Sequence, residues 1–359
     1  MRNILLLGGT GAMGAHLTEI LAADKDNTVF VTTRRNRTPN QENIKYLLGN
    51  AHDQEFLLKV LTLKRWDAIV DFMAYGTDEF KSKCPLFLKF AKQYVFLSSS
   101  RVYAESHVPL TEESPRLIDV CQDEDYLETD EYALAKGRQE NILFNSNFNN
   151  WTIIRPYITF DEYRLQLSCE EKESWLFRAL NGKSIIISED LLSKITTFTY
   201  GADVANGIAA IICKENAMGE AFHITCDITH TWNDILGFYL DAIQTYAGFR
   251  PKVIVKPDYI PYFGGRALQV KYDRLYNRVF DNSKIRAFMP DYKFVDTRCA
   301  IFDCISHFVK HPSWNFINWG QEALKDKEAR EFIGWKEIRY IRGTKQLAIY
   351  IIKRFGIKL

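Results

Sequence analysis

The sequence predicts an α/β fold, a doubly wound parallel sheet with a smaller mixed α/β lobe, and three observations predict it. A short apolar run over residues 3–7 passes into the glycine-rich turn "GGTGAMG" and then into helix-spaced Leu17, Ile20 and Leu21. Further apolar runs at residues 68–72, 94–97 and 151–154 alternate with helix-period stretches. At 359 residues the chain has room for two domains, or for one large domain with a lobe.

Each element follows in order. Residues 3–7 read as a first strand, the glycines as its turn, and a second apolar run at 28–31 completes strand–helix–strand within the ~30 residues such a unit needs. Helical stretches at 53–61 and 132–143 fall between the later runs, and alternation of this kind calls for helices on both faces of a parallel sheet. We expect residues 1–155 to form this first domain. Beyond Pro156 the pattern loosens into short elements rich in Tyr, Phe and Trp, and a smaller lobe is expected over 156–335. A strand at 221–225 and a helix at 203–212 are expected to return to the main sheet, within about 198–226. Residues 336–359 read as a basic amphipathic helix.

Composition excludes several classes. The 46 Lys and Arg against 45 Asp and Glu leave a net charge of +1, so the broad electropositive field of a nonspecific nucleic-acid binder is missing and no nucleic-acid partner is expected. Seven cysteines, at 84, 121, 169, 213, 226, 299 and 304, show no CxxC pair, so neither a disulfide framework nor a metal site is expected. No run approaches the ~18 apolar residues that cross a bilayer. The start of the chain has a strand and a glycine turn where a signal peptide would have its apolar core. A soluble, cytoplasmic protein is expected.

Gly8, Gly11 and Gly14 stand three apart between a strand and a helix. Residues without a Cβ allow a tight turn and let the backbone touch a pyrophosphate, while the helix N-terminus aims its N–H groups at it. Gly8, Thr10, Gly11, Ala12, Met13 and Gly14 are therefore candidate dinucleotide contacts of a Rossmann-type sheet. An NAD site carries an acid about 20 residues on, to accept from the ribose 2′-hydroxyl, whereas a 2′-phosphate calls for Arg. Here Thr33 takes the acid's place and Arg34, Arg35 and Arg37 follow, so NADP is expected, with NAD the alternative. The alternative reading is that these arginines merely belong to a solvated loop. Asn50 and Ala51 follow residues 44–48, where an amide could meet an adenine edge, and Phe72, Met73 and Ala74 end a strand on which the coenzyme could lie.

Tyr132 and Lys136 stand at i and i+4 of "YALAKGRQE", one turn apart on a helix. An ammonium beside a phenol favours phenolate and makes the pair a usable acid or base. The strand at 94–97 delivers Ser98, Ser99 and Ser100 to its carboxyl end, where a hydroxyl could bind a substrate oxygen.

The ordered motifs "GGTGAMG", "DFMAY", "YVFLSSSRVY", "PLTEESP", "YALAK", "IIRP" and the later "FDNSK" resemble the extended short-chain dehydrogenases/reductases, the NAD(P)-dependent epimerase/dehydratase family acting mostly on nucleotide sugars. The resemblance runs from Met1 to about Pro290. It implies that Ser99 positions the sugar oxygen, that Tyr132 exchanges the proton, and that Lys136 also holds the nicotinamide ribose, with Pro156 beside the coenzyme. Dehydratases of that family carry Asp and Glu where this chain has Ser100 and Arg101, so dehydration is not expected. The resemblance and the residues after "IIRP" make Ser100, Arg101, Tyr157, Arg164, Arg178 and Lys271 candidate contacts of a nucleotide-sugar substrate. Large aromatics there, Trp175 among them, also fit plain core packing. The expected activity is NADP(H)-dependent reduction of a nucleotide-linked keto-sugar, as in polysaccharide biosynthesis. Epimerisation with retained NAD(P), or a noncatalytic nucleotide- or RNA-binding member of the fold, are the alternatives.

From residue 336 to 359 there are seven Lys or Arg and one acid, Glu337. Such a helix can cover the lobe, form a subunit contact in a homodimer, or lie on an anionic membrane surface.

Overall fold

The computed structural model describes residues 1–258 and 266–357. Two compact units divide the chain: Met1–Thr159, Thr197–Ile228 and Arg278–Val295 form the first, and Phe160–Thr196, Thr229–Asn277 and Asp296–Leu359 the second.

The first unit is built in chain order from β1 (Arg2–Leu7), α1 (Gly14–Ala23), β2 (Asn27–Thr33), β3 (Ile44–Leu48), α2 (Gln54–Thr62), β4 (Trp66–Asp71), α3 (Thr77–Phe90), β5 (Ala91–Leu97), α4 (Tyr132–Phe144), β6 (Trp151–Pro156), α5 (Gly201–Ile211) and β7 (Glu220–Ile224). The seven strands form one parallel sheet in the order β7-β6-β5-β4-β1-β2-β3. The strand order reverses between β1 and β4, the crevice where ligands of open α/β sheets bind.

Both faces are covered. Ile4, Leu6, Val29, Val31, Val70 and Val95 pack under α1 and α5 on one side, and Leu5, Leu7, Ile69, Tyr94 and Phe96 pack under α2 and α3 on the other. That two-sided burial is why the strands read as nearly continuous apolar runs rather than alternating ones. Gly201 sets how closely α5 approaches the glycine turn, because a Cβ there would stand 2.3 Å from the Ala12 carbonyl oxygen. The "FDNSK" segment packs in this unit, with Asn282 Nδ2 donating to the Thr225 carbonyl at 2.8 Å and Lys284 pairing with Glu220 at 2.7 Å.

In the second unit, helices Trp232–Ala247 and Thr297–Lys310 pack together, and Trp175 packs on Tyr239 with ring centroids 4.5 Å apart and the rings tilted by 50°. The helix Thr344–Phe355 packs on Trp319–Ala329. Among the described residues no helix is long and apolar enough to cross a membrane, and no cluster of three metal-ligating side chains occurs.

Candidate functional site

The carboxyl edge of the sheet carries a pocket of about 220 Å³ lined by Gly8, Thr10, Thr33, Arg34, Asn50 and Met73, with Ala51, His52, Phe72 and Ala74 completing its wall. Gly8 adopts φ +69°, a conformation that costs residues with a Cβ, and a Cβ there would meet Met73 Sδ at 2.7 Å. A Cβ on Gly14 would stand 2.6 Å from the Gly9 backbone, so Gly14 lets α1 start against the turn. Gly11 is different: a Cβ there would find nothing within 4 Å. Its missing side chain leaves open space in front of the backbone, which is what a pyrophosphate needs. Ala12 lies beneath Gly201, and Met13 packs against the apolar core.

The end of β2 fixes the second half of the pocket. Thr33 Oγ1 donates to the Arg35 carbonyl at 2.9 Å and accepts from Arg35 N at 3.2 Å, so the threonine folds the following loop back on itself. That turn sets Arg34 on the pocket wall, while Arg35 and Arg37 are exposed on the loop and do not line it. Among the described residues, none of these three guanidinium groups has an acidic partner. His52, which the sequence did not single out, joins the wall and is held by Glu79 Oε1 at 2.8 Å.

At β5 the three serines separate by their partners. Ser98 Oγ donates to Glu140 Oε1 at 2.6 Å and Ser100 Oγ to the Arg155 carbonyl at 2.7 Å. Ser99 Oγ accepts from Arg101 N at 3.2 Å, which leaves its own proton to donate. Ser100, expected to contact substrate, is fully buried and committed to the β6 backbone instead.

Tyr132 opens α4 and is 42% exposed, whereas Lys136 one turn later is buried. The ammonium donates to the Leu97 carbonyl at 2.8 Å and lies 5.9 Å from the Tyr132 ring centroid. Burial pushes the Lys136 pKa down to about 8, against the opposing pull of Asp71 and Glu140. Glu131 caps α4, accepting from Ala133 N at 2.8 Å, from Arg101 Nη2 at 2.5 Å and from Tyr126 Oη at 3.1 Å. Arg101 is thus tied beside Tyr132 by a carboxylate partner.

Sequence reasoning missed Asp71, at the carboxyl end of β4. Its oxygens accept from Tyr94 Oη at 2.8 Å, Tyr75 Oη at 3.3 Å and Met73 N at 3.0 Å, and burial raises its pKa to about 6. An acid directly after the apolar residues 68–70 was the available signal.

Several expected substrate contacts are placed otherwise. Tyr157 is buried, its ring 5.4 Å from Phe280, as core packing. Arg178 is buried and bound to Glu322 at 3.0 Å, Asp326 at 2.7 Å and Glu331 at 2.8 Å, so its charge is consumed inside the second unit. Arg164 is held to Glu171 at 3.5 Å, and Lys271 is exposed with its ammonium 4.7 Å over the Tyr272 ring. Arg278 donates at 3.0 Å to the carbonyls of Tyr103 and Ala104. Pro156 closes β6 opposite Ile224 at the same sheet edge.

Comparison with known proteins agrees with this geometry. Residues 8–174 match the model of an NAD(P)H-binding family. No curated protein matches the chain. Solved structures do so in fold. An epimerase from Methanothermobacter thermautotrophicus superposes with TM-score 0.65 at 18% identity, over 86% of this chain and 92% of that one. A dTDP-glucose 4,6-dehydratase from Bacillus anthracis in complex with NAD gives 0.64 at 16%, over 88% and 98%. A UDP-glucuronic acid 4-epimerase from Bacillus cereus in complex with NAD gives 0.62 at 16%, over 88% and 100%. At these identities the likeness establishes the Rossmann-type fold.

Proposed function

We propose that the chain is an NADP(H)-dependent oxidoreductase that reduces the keto group of a nucleotide-activated sugar. The observation that carries this reading is Thr33 in the acid's place with Arg34 beside it on the pocket wall. A guanidinium without an acidic partner suits a 2′-phosphate, and an NAD site's carboxylate is missing. The open space before Gly11 and the backbone of Gly8 and Thr10 suit the pyrophosphate, Asn50 and Ala51 the adenine, and Phe72, Met73 and Ala74 the sheet-facing side of the coenzyme.

When bound, the coenzyme supplies the hydride. The chain's own groups supply orientation and the proton. Ser99 donates a hydrogen bond to the sugar carbonyl oxygen, and Tyr132 gives its phenolic proton to that oxygen as the alcohol forms. The Lys136 ammonium stabilises the phenolate left behind and holds the ribose, and solvent returns the proton through the exposed Tyr132 edge.

The neighbours that are named as epimerases in complex with NAD support a second reading, epimerisation with coenzyme retained through the cycle. One experiment separates them. The purified protein is assayed for bound nucleotide, then mixed with NADPH or NADH and a panel of 4-keto nucleotide sugars while absorbance of the reduced nicotinamide is followed. Stoichiometric consumption of NADPH supports the reductase. Interconversion of sugars with no net loss of coenzyme replaces it with the epimerase.

A further inference from the structure

The C-terminal segment presents two faces of different chemistry. On the inner face of Thr344–Phe355, Tyr350 is buried, donates to Asp326 Oδ2 at 2.6 Å and accepts from Ile333 N at 2.9 Å. Ile349 and Lys353 approach Gly320 on the neighbouring helix. The outer face carries Leu347, Ile351 and Phe355 at i, i+4 and i+8, exposed by 40%, 39% and 60%. Trp335 and Phe332, just upstream, are 91% and 60% exposed, and Arg354 lies 4.3 Å over the Phe332 ring and 5.5 Å over Phe355. This outward face is therefore more apolar than the inner one, the reverse of an ordinary surface helix.

Charge is distributed with equal asymmetry. In this segment Lys336, Arg339, Arg342, Lys345 and Lys353 are exposed and Arg354 is half-buried, while the one acid among residues 336–357, Glu337, is buried and paired with Lys183 at 2.9 Å. Every charge this segment shows to solvent is positive. Arg339 and Arg342 also line a cavity of about 360 Å³ together with Trp314 and the exposed Phe316.

We infer that this segment docks the protein on a bilayer surface bearing anionic phospholipid headgroups, with Trp335, Leu347, Ile351 and Phe355 entering the interface and the Arg339–Arg342 cavity facing a headgroup phosphate. Charge complementarity selects this occupant. A second copy in an isologous contact would set the basic rim against the same basic rim, with no exposed acid in the segment to pair it. A nucleic acid would leave the apolar stripe uncovered. With no helix able to span a bilayer among the described residues, the association is peripheral.

The test uses the full-length protein and co-sedimentation with vesicles of phosphatidylcholine alone or with phosphatidylglycerol. Binding is expected only where phosphatidylglycerol is present, and it should weaken as salt is raised. Each basic residue near an anionic surface is worth roughly fivefold in partitioning, so the double variant Arg342→Glu/Lys345→Glu should lose at least ~25-fold. Leu347→Glu/Ile351→Glu/Phe355→Glu should abolish binding while its thermal melt and far-UV spectrum stay those of the parent, because these side chains face outward. Free inorganic phosphate at matched ionic strength should not compete. Absence of lipid-dependent sedimentation, unchanged binding by either variant, or a parent dimer that the triple variant converts to monomer without any vesicle binding would overturn the inference.

Discussion

The Arg101 guanidinium lies 5.2 Å over the ring centroid of Tyr132. Its position is secured by Glu131, the residue that caps α4 immediately before that tyrosine. One carboxylate therefore sets both the helix start and the cation beside its first side chain.

Replacing Arg101 by Ala should free the Tyr132 ring without disturbing Lys136. A cation–π contact at a half-exposed ring is worth about 0.5–1 kcal/mol, so kcat should fall roughly two- to fivefold with little change in KM. Steady-state kinetics read the split, and an effect confined to KM would instead make Arg101 a substrate anchor.

Tyr132→Phe removes the proposed proton donor and leaves the ring. Turnover should fall by ~100-fold or more, the usual range for a positioned acid, while coenzyme affinity stays near that of the parent. Full activity in this variant would remove the assigned chemistry.

Lys136 sets the expected pH dependence. Burial favours its neutral amine, so the group loses its proton as pH rises through about 8, well before an exposed lysine would. If the ammonium is needed to stabilise the phenolate, kcat/KM should be flat below about 8 and fall above it. A profile still flat well above that value contradicts the role.

In the proposed reading, coenzyme choice rests on two neighbouring positions. Arg34→Ala should weaken NADPH binding by about 10- to 100-fold, the equivalent of one hydrogen bond between charged groups, and leave NADH nearly unchanged. Thr33→Asp should then favour NADH through the ribose 2′-hydroxyl. Fluorescence titration with both coenzymes measures each outcome.

The glycines make separable predictions. Gly14→Ala forces a Cβ into the Gly9 backbone and should cost ~1–3 kcal/mol in urea denaturation. Gly11→Ala meets no atom and should melt like the parent, yet weaken coenzyme binding about tenfold by filling the space a pyrophosphate needs.

What was legible in the sequence was local. Strands, the glycine turn, the i and i+4 spacing of Tyr132 and Lys136, and the placement of Thr33 and Arg34 all follow from backbone requirements within a few residues, and a chain segment carries those requirements wherever it packs. The three serines were legible as a group, but not which of them keeps a free proton. That depended on Glu140 and Arg155, which are brought against β5 by α4 and β6.

Tertiary structure alone decided the rest. Arg178 reads from the sequence as a candidate substrate contact, but Glu322 and Asp326, more than 140 residues away, surround it and consume its charge. Asp71 acquired its raised pKa only when folding buried it, against the hydrogen bonds from Tyr94 and Tyr75 that pull it down. The same holds for the C-terminal helix: periodicity said that it is amphipathic, and only packing against Trp319–Ala329 decided that its more apolar side faces out. Short-range geometry is written in neighbouring residues, whereas burial and charge pairing are properties of residues that meet only after the chain has folded.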